Sequence, residues 1–196
     1  MRAISPSSAV SWGVALMRGV CQNPNYAMYI LPLLVLASSV YAVVCIYSPL
    51  PFWDEWAYVT PQQHFEAWFA PHNEHRLIFP RLFFVLDMWL GAHGVLNLVC
   101  ILGVQLLHVA LLIRVLCTEA SAPSVVWLIT VVGVLLLWVY QLGNFGWGFQ
   151  LQFVGVYALA SAAFTALLFA RTTLALICAV LAAGTMANGV LVALLL

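Results

Sequence analysis

Residues 77–117 read LIFPRLFFVLDMWLGAHGVLNLVCILGVQLLHVALLIRVLC. How this stretch divides decides the fold. It is apolar over about 40 residues, and as one helix it would be about 60 Å long, twice the hydrocarbon thickness of a bilayer. As two spans it would break near Gly91 and Gly94. The first piece would then be short and would carry Asp87 into the middle of the membrane. It would also put Arg114 and Arg171 on the opposite side from Arg2 and Arg18. A helix lying on the surface over 77–91, followed by one span over 95–117, avoids both problems. All four arginines then share a side, and the positive-inside rule assigns that side to the cytoplasm.

Four more stretches, 27–48, 124–142, 150–170 and 173–196, are long and apolar enough to cross a membrane. None alternates as a strand would, so all read as helices. The first is too long for a cleavable signal peptide and has no small-residue cleavage site after it. Val20 before Cys21 spoils a lipoprotein reading. The expected organisation is all-α and polytopic. A cytoplasmic segment (1–26) leads into the first span (27–48), then a long extracytoplasmic loop with interfacial helices (49–94), then spans 95–117, 124–142, 150–170 and 173–196. The final residues LVALLL lack a polar flank, so the sequence is expected to be the N-terminal piece of a longer protein.

Composition agrees. Of 196 residues 65% are apolar and 6% charged, against about 25% charged in soluble domains. The mean hydropathy is +1.07. Six arginines balance six acids, and there is no lysine. This excludes a soluble enzyme, a disordered tail and a basic nucleic-acid binder. Cys45, Cys100, Cys117 and Cys178 lie in or at the end of apolar runs, Cys21 lies near the N-terminus, and no CxxC occurs. They read as small apolar packing residues.

Seven of the twelve charged residues lie between positions 54 and 87, with His64, His72 and His75. The loop is also rich in aromatics. Phe65, Trp68 and Phe69 have i, i+3, i+4 spacing, which predicts a short interfacial helix. Asp54 and Glu55 stand between Phe52, Trp53 and Trp56 directly after the first span. Partial desolvation and mutual repulsion would raise at least one of their pKa values, which suits a general base. His72-Asn73-Glu74-His75-Arg76 is the second cluster. H-x-x-H alone is a weak metal signal, and the adjacent arginine disfavours a cation, so no metal site is assigned. An anion suits the cluster better: Arg76 can fork onto a phosphate, protonated His can assist, and Arg81 adds a second positive group. A salt bridge from Glu74 to Arg76 or Arg81 is the alternative use of the same charges. Gln150, Gln152, Asn188 and Asn97 fall at similar depth and suggest one polar cavity on the loop side. Gln105 and His108 read as a helix–helix contact.

The acid pair after the first span, the long loop with its surface helix, and the words HNEHR, FPRL, NFGWGFQLQF and ANG resemble integral-membrane glycosyltransferases of the GT-C type. These use polyprenyl-phosphate-linked sugars; protein O-mannosyltransferases and lipid A aminoarabinose transferases are examples. The resemblance covers roughly residues 27–196. It implies Asp54 as the base with Glu55 as its substitute. It also implies Arg76 and Arg81 on the donor phosphate with His72, Glu74 and His75 around them, and Gln150, Gln152 and Asn188 along the sugar cavity. It leaves a divalent metal open and implies a bacterial inner membrane. The family's His-Pro-Pro motif is absent, which leaves the role of the His cluster open. Two other functions compete. One is a transporter or flippase accessory for lipid-linked sugars, for which neither a broken helix nor a charge within a span is evident in the sequence. The other is a non-catalytic subunit or remnant working with a larger membrane partner.

Overall fold

The structure is a computed structural model that describes residues 27–59, 68–73, 75, 77–118 and 122–196. Among them the regular structure is helical, with one isolated β-bridge. The helices are α1 (Ala27–Ile46), α2 (Trp56–Val59), α3 (Ile78–Trp89), α4 (Val95–Leu116), α5 (Ala122–Leu137), α6 (Leu142–Phe145), α7 (Leu151–Leu168), α8 (Thr172–Ala183) and α9 (Val190–Leu195). Four segments are long and apolar enough to cross a membrane: Met28–Ile46, Val95–Leu116, Val125–Phe145 and Gly148–Leu168. The chain is an all-α polytopic membrane protein.

The long helices pack side by side in the order α1, α5, α4, α7, α8. In apolar surroundings each backbone group freed by a helix break needs an internal partner. α1 contains Pro32, which cannot donate to the Met28 carbonyl one turn earlier. Thr130 of α5 donates its hydroxyl to that carbonyl at 2.9 Å. Gly133, one turn further along α5, leaves room for the Pro32 ring; a Cβ there would lie 2.8 Å from Pro32 Cβ. At the other end of α5 the last carbonyls have no helical partner. Ser39 of α1 donates to Leu137 O at 2.5 Å, and Gln105 of α4 donates to Leu136 O at 2.7 Å. The expected helix–helix contact of Gln105 is therefore made.

The decisive stretch divides as its length requires. α3 ends at Trp89, a tight turn follows, and α4 starts at Val95. Gly91, His93 and Gly94 all have positive φ in that turn. Asp87 is buried at 6% exposure and accepts hydrogen bonds from Gly94 N (2.7 Å) and Leu96 N (2.9 Å). It satisfies the free N–H groups at the start of α4 and places negative charge at the positive end of the helix dipole. At the other end of α3, Ile78 N and Phe79 N donate to Gly184 O at 2.9 and 3.3 Å. Both ends of α3 are thus tied to the same end of the bundle, so α3 lies across that end. At the far end Arg114 sits over the Phe169 ring at 4.5 Å, close to Arg171. The bundle therefore has a loop end and an arginine end.

The expected single span over 173–196 is corrected. α8 is 12 residues long, about 18 Å, and falls short of the hydrocarbon thickness. The chain breaks over Gly184–Gly189, and α9 folds back onto α8, where Val192 shares a core with Cys178, Ala179 and Ala182. Two glycines permit this. A Cβ at Gly189 would strike the Ala182 carbonyl, and one at Gly184 would strike the Phe79 ring. The apolar average of the segment hid the break. The expected spans 27–48, 95–117 and 150–170 match helices to within four residues; 124–142 becomes α5, a 3₁₀ turn (Val139–Gln141) and α6.

Candidate functional site

The site is built where the first loop meets the turn before α7. Phe52 is extended, Trp53 has positive φ, and Trp53–Glu55 form one 3₁₀ turn that runs into α2. This turn sends the two adjacent acids in different directions. Glu55 Oε2 accepts from Phe52 N at 2.8 Å, and Oε1 accepts from Phe149 N at 3.2 Å. Trp147 Nε1 donates to Phe52 O at 3.2 Å and closes the same junction. Between them stands Gly148; a Cβ there would lie 2.7 Å from Glu55 Oε1 and 3.0 Å from Asn97 Cβ, so only glycine fits. Burial pushes the Glu55 carboxyl up from 4.5; hydrogen bonds from the Phe52, Phe149 and Gly148 backbones oppose the rise, and the charge on Asp87 adds to it.

Asp54 points elsewhere and stays more open. Its side chain is 41% exposed, and Oδ1 lies 3.6 Å from His72 Nε2. His72 is packed between the rings of Tyr58 (5.7 Å) and Phe149 (5.3 Å). A tight turn holds it: His72 N donates to His75 O at 2.9 Å, and His75 N donates to His72 O at 3.0 Å. Asn73, at positive φ, begins that turn, and asparagine tolerates this conformation well. Asn73 is the sequence signal for this turn, although within HNEHR it stands among charged residues. His75 faces Phe153 edge-on at 6.2 Å.

Arg81 is buried at 4% exposure and donates to Trp68 O (2.5 Å) and Ala70 O (2.6 Å), with its guanidinium 5.8 Å from the Tyr58 ring centre. It fastens the loop onto α3. Tyr58 has its phenol pKa raised by burial, and Arg81 opposes that rise. Gln152 is fully buried, with no hydrogen-bond partner at either end of its amide. Gln150 is half-buried and Asn188 is exposed at the break before α9. Glu74, Arg76, His64, Phe65 and Glu66 lie outside the described residues. Among the described residues no three His, Cys, Asp or Glu side chains converge as a metal cage.

Beside the acid pair is a cavity of about 750 Å³ between the end of α1, α3, the start of α4 and the turn at 142–148. Glu55, Asp87 and Asn97 line it, and Gln150, Gln152 and Asn188 do not. Of the residues expected in one polar cavity only Asn97 lines it; its company with Glu55, Asp87 and Gly148 is not readable from sequence, because only the fold brings residues 55, 87, 97 and 148 together. No family model, curated protein or solved structure matches the chain.

Proposed function

We propose that this chain belongs to a membrane glycosyltransferase that moves a sugar from a polyprenyl-phosphate donor to a hydroxyl acceptor on lipid, glycan or protein. The observation that carries the reading is the division of the acid pair. Glu55 is fixed by backbone N–H groups, while Asp54 is half-open beside His72 at the loop end of the bundle. A general base needs this access together with a held geometry. In the reaction Asp54 takes the acceptor's hydroxyl proton, and the acceptor oxygen bonds to the anomeric carbon. The bond from that carbon to the donor phosphate breaks, and the phosphate leaves with the electron pair. His72 orients the Asp54 carboxylate. Arg81, fastened to loop carbonyls, acts as a positioning residue here rather than on phosphate. Arg76 and His75 remain the candidates for the donor phosphate, with Glu74 beside them on the substrate. Placement of Arg114 and Arg171 at the far end supports a loop end outside the cytoplasm; the bacterial inner membrane is proposed from the resemblance alone.

The test is sugar transfer in membranes carrying the protein, with a radiolabelled polyprenyl-phosphate sugar. Asp54→Asn is expected to lower the rate at least about 100-fold, the usual worth of a general base. Membrane abundance should not change. Wild-type rates in that variant would overturn the assignment.

A second reading, a carrier for lipid-linked sugars, is favoured by one observation, the broken α8–α9 helix at Gly184–Gly189. A carrier needs no base. Substrate movement that survives replacement of both Asp54 and Glu55 would select it.

A further inference from the structure

Trp53 adjoins Asp54 and takes no part in proton removal. Its backbone has φ 46°, an uncommon and costly conformation for a bulky residue. The residue is nonetheless 72% exposed, so burial is not what holds it there. Phe52, Glu55 and Trp56 line the cavity at the end of α1, while Trp53 and Asp54 do not. The turn thus parts these two from their neighbours and leaves both open.

The rings around Trp53 fix its plane. Phe52 is stacked on it, with centres 5.6 Å apart and planes at 12°. Trp147 stands nearly perpendicular to both, 5.6 Å from Phe52 and 6.2 Å from Trp53. A ring on the outer face of Trp53 would lie much farther from Phe52 than from Trp53, so Trp147 flanks the stack and leaves that face clear. The row continues inward. Trp147 stacks on Phe149 at 5.3 Å, and Phe149 meets His72, the histidine facing Asp54, at 5.3 Å. An aromatic anchor in the headgroup layer needs neither a costly backbone nor a fixed plane. Here an open indole face is held beside a half-open carboxylate.

We propose that Trp53 is the platform for a pyranose ring of the acceptor, so that the reacting hydroxyl belongs to a saccharide. One face of a pyranose is a patch of C–H groups, and its rim carries hydroxyls. The C–H groups, slightly positive, rest on the negative face of the indole. A rim hydroxyl then donates to the Asp54 carboxylate, which takes its proton. A serine or threonine side chain offers no such face. The inference rests on the transferase reading for the role of Asp54, whereas its test reads binding, so the two fail separately.

The test is saturation-transfer NMR on the full chain in an alkyl polyoxyethylene detergent, which has no sugar headgroup. Aromatic protons are irradiated, and the signal is read on methyl β-glucoside, methyl β-galactoside and methyl β-mannoside, with open-chain sorbitol as control. At least one glycoside should receive at least about threefold more saturation than sorbitol, the worth of one ring contact. Most of it should fall on the C–H groups of one ring face. Trp53→Gly removes the indole and suits the positive φ, so the turn keeps its course, and the signal should drop to that of sorbitol. Trp53→Tyr keeps a ring and should retain it; circular dichroism establishes that both variants hold their helices. Equal saturation of the two ring faces in the parent would overturn the inference without any variant, so the test does not depend on how Trp53→Gly folds. Farnesyl phosphate, a short donor carrier, should leave the signal in place; its loss would overturn the assignment to the acceptor. Wild-type transfer by Asp54→Asn with the signal intact would remove the base and keep the platform. Sorbitol-like signals from all three glycosides, or a signal unchanged in Trp53→Gly, would overturn the inference.

Discussion

Glu55 hangs from the backbone N–H groups of Phe52, Gly148 and Phe149, yet burial still holds its carboxyl above the usual range. The folded chain therefore keeps the Glu55 proton to higher pH than the unfolded chain does. Stability contributed by this group is full below 4.5 and falls as pH rises through the folded pKa. Thermal midpoints measured in one detergent from pH 4.5 to about 7 should decline more steeply in the parent than in Glu55→Gln, whose amide does not titrate. Parallel curves for the two proteins would show that Glu55 is not the titrating group. The resemblance implies Asp54 as a base and Glu55 as its substitute. Their chemistry as acids at a membrane surface was legible from the neighbouring rings. Their divergence was not, because it depends on Gly148 and Phe149, which come from a turn two spans later. Arg81 differs for a similar reason: a charged side chain beside a histidine cluster reads as an anion ligand, while in the structure its guanidinium donates to the Trp68 and Ala70 carbonyls.

At the scale of elements, length against bilayer thickness was the reliable guide. It separated α3 from α4 because no other division kept Asp87 out of the membrane. Asp87 then proved to cap α4, a use that composition alone does not reveal. The same reasoning failed for 173–196, where a largely apolar stretch of 24 residues suited a span but the chain breaks over Gly184–Gly189, with the Phe79 ring packed on Gly184. The pairing of α1 with α5 gives a sharper test. Thr130→Val removes the donor to the carbonyl that Pro32 leaves free, and a loss of about 1 kcal/mol is expected. Pro32→Ala in the same background restores an N–H that can reach Met28 O and should recover most of that loss. Thermal unfolding of the two variants and the parent in one detergent measures it. A double variant no more stable than Thr130→Val would mean that the hydroxyl is not compensating for the proline.

Across the whole molecule, the two ends of the bundle differ in kind. The loop end carries Asp54, Glu55, Asp87, the histidine turn and the cavity, while Arg114 and Arg171 gather at the other. This asymmetry was legible in the linear order of charges, since each apolar segment had only to reverse the direction of the last. It fixes which residues share an end, and positive charge retained in the cytoplasm then predicts which end faces out. Ala57 and Thr172, both exposed, mark the loop end and the arginine end. With the native cysteines replaced, Ala57→Cys should react with a membrane-impermeant maleimide in intact cells. Thr172→Cys should react only after the membrane is opened. The reverse pattern would place Asp54 and the cavity in the cytoplasm. A sugar donor would then have to be met on the inner leaflet, and the transferase reading as stated would fail even if the helices and the acid pair were placed correctly.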